Sequence, residues 1–93
     1  MDKVEAGSLL EKYLQGLKSR SYQELQELIA HPDIMEVEGR SGTRYQIECQ
    51  AVWDDLKPGG NLRIIASIDD GRLLSAFMPS TLDFLISPGG AII

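Results

Sequence analysis

Apolar residues recur at helical spacing over the first third of the chain and at strand spacing beyond it. Leu9, Leu10, Tyr13, Leu14 and Leu17 share one helical face, the stripe of a helix that must bury one side. Ser8-Leu9-Leu10-Glu11 has capping-box spacing: the serine hydroxyl accepts from an early backbone N–H while the glutamate reaches back. The same spacing returns at Ser21-Tyr22-Gln23-Glu24 after a Ser19-Arg20 break, with Leu25, Leu28 and Ile29 as the second inward stripe. Pro32 ends that segment, because the residue before proline is pushed out of α geometry. The pattern predicts two short helices, or one long kinked helix.

From Ile34 the period is two. Met35 and Val37 alternate with Glu36 and Glu38, and Gly39-Arg40-Ser41-Gly42 supplies a turn. Tyr45, Ile47, Cys49 and Ala51 then point one way, and Arg44, Gln46, Glu48 and Gln50 the other. That is the signature of a strand with one face in a core and one in water. After the loop Asp54-Asp55-Leu56-Lys57-Pro58-Gly59-Gly60, Leu62, Ile64, Ala66 and Ile68 alternate again. Asp69-Asp70-Gly71 breaks the run before a second apolar stretch, Leu73 to Met78. Asp-Gly between two such runs predicts a hairpin, since glycine takes the positive φ of the turn without steric cost.

Two registers fit that hairpin. A two-residue turn sets Ile68 opposite Leu73 and Ile64 opposite Phe77, with Ile65, Leu74, Ala76 and Met78 on the other face. A longer turn with Gly71 in a bulge sets Ile64 opposite Ala76. Ser80-Thr81-Leu82-Asp83 has the spacing to cap a last helical turn carrying Leu82, Phe84 and Leu85. Ser87-Pro88-Gly89-Gly90 then breaks regular structure before an apolar Ala91-Ile92-Ile93 tail. The expected fold is α+β, one domain over residues 1–93. Two N-terminal helices pack on a four-stranded antiparallel meander sheet, with a short C-terminal helical turn.

Composition changes this picture little, and charge changes it more. Apolar and charged fractions of 43% and 25% are ordinary for a folded domain. The formal net charge is −5. It is concentrated between Asp33 and Asp55, where six acids face only Arg40 and Arg44. Such a surface repels phosphate, so nucleic-acid binding is not expected. Cys49 is the sole cysteine, so no internal disulfide forms. No apolar run reaches membrane-span length and no signal-peptide pattern opens the chain, so no membrane contact and a cytoplasmic location are expected.

Candidate chemistry is sparse. Asp54, Asp55, Asp69 and Asp70 are the one concentration of reactive groups, readable as a hard-cation site or as carboxylates for acid–base work. Aspartates at turns more commonly bond their own backbone, and Arg63 and Arg72 are placed to neutralise them. Pro58-Gly59-Gly60 leads into a strand rather than a helix N-terminus, so it is no phosphate loop. No cofactor motif is present. His31 suits a helix C-terminus, and nothing in the spacing links it to Cys49 as a catalytic pair. Trp53 is a candidate interface anchor.

Tyr45-Gln46-Ile47-Glu48, Trp53-Asp54-Asp55, Pro58-Gly59-Gly60-Asn61-Leu62-Arg63, Ile68-Asp69-Asp70-Gly71, Phe77-Met78-Pro79 and Phe84 together form a pattern. It resembles that of a family of small bacterial proteins with no assigned activity. The resemblance spans roughly residues 31–90. It implies an α+β fold and assigns no catalytic residue. At the position after Asp-Asp-Gly, where that family often has Gly-Trp, this chain has Arg72-Leu73. The expected function is a non-enzymatic protein-interaction module, binding a protein partner or itself as a homo-oligomer, with Trp53, Ile65, Leu74 and Met78 at the interface. The rival is a metal-dependent or small-ligand enzyme built on the two acidic loops.

Overall fold

A computed structural model describes residues 1–71 and 80–93. Helix α1 spans Lys3–Lys18 and α2 spans Tyr22–Gln26, continued by a 3-10 turn at Glu27–Ile29. Strands β1 (Asp33–Glu38), β2 (Arg44–Trp53), β3 (Leu62–Asp69) and β4 (Ser80–Ile86) form one antiparallel sheet in the order β1-β2-β3-β4. The α+β class and the four-stranded antiparallel sheet are as expected from the sequence.

Helix α1 starts five residues earlier than Ser8. Asp2 is its N-cap, its carboxylate accepting from the backbone N–H of Val4 and of Glu5 at 3.1 Å each. The buried stripe accordingly begins a turn earlier, running Ala6, Leu10, Leu14, Leu17. Leu9 and Tyr13 sit half-buried at its flank. The second helical segment is a short one rather than a full helix, five residues of α and three of 3-10. Its capping box is as expected: the Ser21 hydroxyl accepts from Glu24 N–H, and the Glu24 carboxylate accepts from Ser21 N–H. Leu25 and Leu28 are buried below it.

The larger correction is at the C-terminal end. No helical turn forms at Ser80; Ser80–Ile86 is the fourth strand. Leu82, Phe84 and Ile86 alternate with Thr81, Asp83 and Leu85 and lie opposite Ala66, Ile64 and Leu62 of β3. Pairing satisfies a row of β3 backbone groups that a helical turn would leave unmatched. Both expected hairpin registers fail for the same reason, since Ile68 stands opposite Ser80 and Ile64 opposite Phe84. At Asp69-Asp70-Gly71 the strand ends in a bend. The Asp69 carboxylate accepts from Gly71 N–H at 2.9 Å, and Gly71 has a φ of +80°. The run Leu73–Met78 lies outside the described residues.

One sheet face carries the core. Tyr45, Ile47, Cys49 and Ala51 of β2, Leu62, Ile64, Ala66 and Ile68 of β3, and Phe84 and Ile86 of β4 are buried with the stripes of α1 and the second segment. Lys18, in the last turn of α1, places its ammonium 5.6 Å from the Phe84 ring centroid, where a cation on an aromatic face is favourable. After β4, Ser87–Ala91 turns back so that Ile92 bridges to Ile86 and Ile93 N–H donates to the Leu85 carbonyl. The tail therefore covers part of the outer edge of β4.

Candidate functional site at the open edge of the sheet

Of the expected interface residues, Trp53 and Ile65 lie on opposite faces of the sheet. Trp53 ends β2 opposite Leu62 and packs half-buried against the core, so it belongs to the helix-covered face. Ile65 is on the other face, opposite Gln50 and Asp83. Leu74 and Met78 lie outside the described residues.

The acidic pairs do not converge either. Asp54 and Asp55 follow β2, whereas Asp69 and Asp70 stand at the far end of β3. At roughly 3.3 Å per residue, the length of β3 separates them by about 23 Å. Asp54 pairs with Arg63 at 3.3 Å, and Arg63 also binds Asp83 on β4. Those two carboxylates hold the guanidinium firmly protonated, Asp83 more than Asp54. Asp69 serves its turn, and the Asp70 carboxylate lies 3.7 Å from the Met1 amino group. Among the described residues no three His, Cys, Asp or Glu side chains come together as a metal-ligand set.

Nor is there an activated nucleophile at Cys49. The thiol is fully buried, and burial pushes its pKa up to about 11, so almost none is thiolate at neutral pH. Tyr13, nearby, donates to the Asp33 carboxylate at 3.0 Å; burial first, then its neighbours, raises the phenol well above its usual range.

A different feature emerges from the sheet order. Strand β1 is an edge, and among the described residues nothing pairs with its outer side. The β1–β2 hairpin closes through Gly39 N–H donating to the Thr43 carbonyl and Gly42 N–H to the Gly39 carbonyl, with Gly42 at a φ of +85°. That is the bulged three-residue loop, which requires a residue in the left-handed region at this place. It also sets the ladder: hydrogen-bonded pairs then alternate, so Val37, Met35 and Asp33 bond β2. The N–H and C=O groups of Ile34, Glu36 and Glu38 point outward.

The side chains flanking this edge differ between the two faces. Toward α1, an open groove runs between helix and strand. Leu9, Tyr13 and Leu17 of α1 line it with Met35, Val37 and Ile47, and Lys12 and Arg20 stand at its rim. On the other face are Ile34, Glu36 and Glu38, with Glu48 beside Ile34 on β2. Ile34 is 63% exposed and Met35 39%. Glu36 makes a 3.4 Å pair with Arg44, both in water, an interaction of little strength.

The turn at the end of β1 is tied to α1 through Glu5. The Glu5 carboxylate on α1 accepts from Ser41 N–H at 3.0 Å, Ser41 hydroxyl at 2.7 Å and Tyr45 hydroxyl at 2.7 Å. These bonds hold its pKa below the ordinary value. Sequence periodicity marks β1 as a strand and Met35 and Val37 as inward-facing. Whether a strand lies at an edge depends on pairings that periodicity does not contain. No family model, curated protein or solved structure matches this chain.

Proposed function

We propose that the protein is a non-enzymatic interaction module that binds another protein chain along the outer edge of β1. The observation that carries this is the coincidence of outward backbone groups at Ile34, Glu36 and Glu38 with an apolar groove beside them. Unpaired strand edges are templates for an added strand, and natural folds usually blunt or cover them. Here the tail meets the C-terminal end of β4, and β1 is left free among the described residues. The buried free thiol of Cys49 suits a reducing compartment, and we place the protein in the cytoplasm. Among the described residues no helix is long and apolar enough to cross a membrane.

The test is affinity capture from the protein's own cells with wild type and Glu36→Pro side by side. Proline at 36 deletes an outward N–H and leaves the ladder to β2 intact, which is where edge strands tolerate it. Circular dichroism checks that the fold is kept. Proteins held by wild type and lost from Glu36→Pro support the module; an identical set on both baits rejects it.

A further inference from the structure

We infer that the partner is a basic extended segment, apolar and Lys or Arg side chains alternating, that adds to β1 as a fifth strand. This rests on the protein-binding reading of the same edge and names the chemistry of its occupant. Successive residues of an added strand face opposite sides of the sheet. One set meets the groove of Leu9, Tyr13, Met35 and Val37, which accepts apolar groups, and Lys12 and Arg20 at its rim repel cations there. The other set lies against Glu36 and Glu38 on the open face. Cross-strand neighbours of opposite charge stabilise a pair and like charges oppose it. The two faces of β1 therefore demand different side chains, and only alternation meets both.

The same carboxylates argue against a second copy as occupant. Antiparallel self-pairing through the outward groups sets Glu36 opposite Glu36 or Glu38 of the copy, or diagonal to Glu36. Each arrangement brings like charges together. Acids on an edge strand thus reject self-association and acidic partners while leaving a basic strand welcome.

The experiment titrates isotope-labelled full chain with three seven-residue acetylated peptides. One alternates Val and Lys, one alternates Val and Glu, and one holds the first composition in two blocks. N-methyl groups on the edge facing away from β1 keep each peptide from pairing with itself. The Val/Lys peptide is expected to shift the amides of Ile34, Glu36 and Glu38 and to bind about tenfold tighter than the Val/Glu peptide. Glu36→Pro abolishes the shifts, and added salt narrows the preference. Equal or tighter binding of the Val/Glu peptide at the same amides overturns the basic partner and leaves the edge module standing. The same holds if no peptide shifts β1 while captured proteins still depend on Glu36. Shifts confined to other surfaces, together with capture unaffected by Glu36→Pro, reject both. A full chain that sediments as a dimer, and as a monomer once Glu36→Pro is made, names a second copy as the occupant and overturns the proposal.

Discussion

Glu5 joins the first helix to the first hairpin through one carboxylate, and its neighbours are built around it. A β-carbon on Gly39 would collide with the Glu5 carboxylate, so glycine is needed there for that carboxylate to reach Ser41 and Tyr45. Tyr45 is buried, and its hydroxyl donates to that carboxylate. Burial first, then the bond to Glu5, pushes its pKa from 10.0 up to about 12. A raised pKa in the folded state gives stability that is fully present below the unfolded value and is lost as pH climbs through the folded one. Cys49 adds the same trend from 9.0 to about 11. Urea midpoints are therefore expected to fall between pH 9 and pH 12. Tyr45→Phe removes one hydrogen bond to an ionised carboxylate, costing about 1.5–3 kcal/mol near neutrality, and it flattens the decline above pH 10. Parallel curves for the two proteins would show that the Tyr45 hydroxyl does not couple to folding. At the acid end the sign reverses: the lowered Glu5 and Glu24 carboxyls contribute above pH 4.5, and that contribution fades as pH falls below it.

Two serines with identical capping-box spacing fare differently as elements form, and the contrast is measurable. Ser21 caps a segment too short to persist alone, held by its box, by the Tyr22 hydroxyl donating to the Gly60 carbonyl at 2.7 Å, and by buried Leu25. Ser8 lies exposed inside α1, whose cap is Asp2. Ser21→Ala is expected to destabilise by about 1 kcal/mol. Ser8→Ala should instead stabilise by a few tenths, because alanine is the better helix interior residue. Denaturant unfolding of the two variants decides, and a loss at Ser8 equal to that at Ser21 would sink the assignment of Asp2 as cap. The spacing around Ser8 misleads because Ala6 is too small to announce itself as the first buried position of the stripe. The helical stripes, the Ser21 box, the β1–β2 hairpin and the alternation of β3 are all legible from local periodicity. Strand β4 is not. Ser80-Thr81-Leu82-Asp83 carries a cap-like spacing that local reasoning takes for a helix start, and the long-range pairing to Leu62–Ile68 outweighs it.

Across the whole molecule, the two sheet edges differ in what meets them. The candidate site exists only at this scale, because it takes α1, β1 and β2 together to line the groove. No run of the sequence contains it; a linear reading finds only its parts, the alternation of Met35 and Val37 with Glu36 and Glu38 and the acidic excess between Asp33 and Asp55. At the C-terminal end of β4, the returning tail meets the outer edge, Ile92 bridging Ile86 and Ile93 N–H donating to the Leu85 carbonyl. Along β1 the protection is electrostatic, from Glu36 and Glu38, on a chain that already carries a net charge of −5. Removing that protection without disturbing the ladder should create a dimer. In Glu36→Thr/Glu38→Thr, two threonines, good strand formers, replace the repelling pair on the open face, while Met35 and Val37 keep their groove. Wild type is expected to sediment as a monomer at every concentration tested, and the double variant to show concentration-dependent dimerisation. Adding Ile34→Pro, which deletes an outward N–H, should return the variant to monomer. A double variant that stays monomeric would mean that charge is not what keeps β1 unpaired, and that some other feature of the edge excludes a second copy.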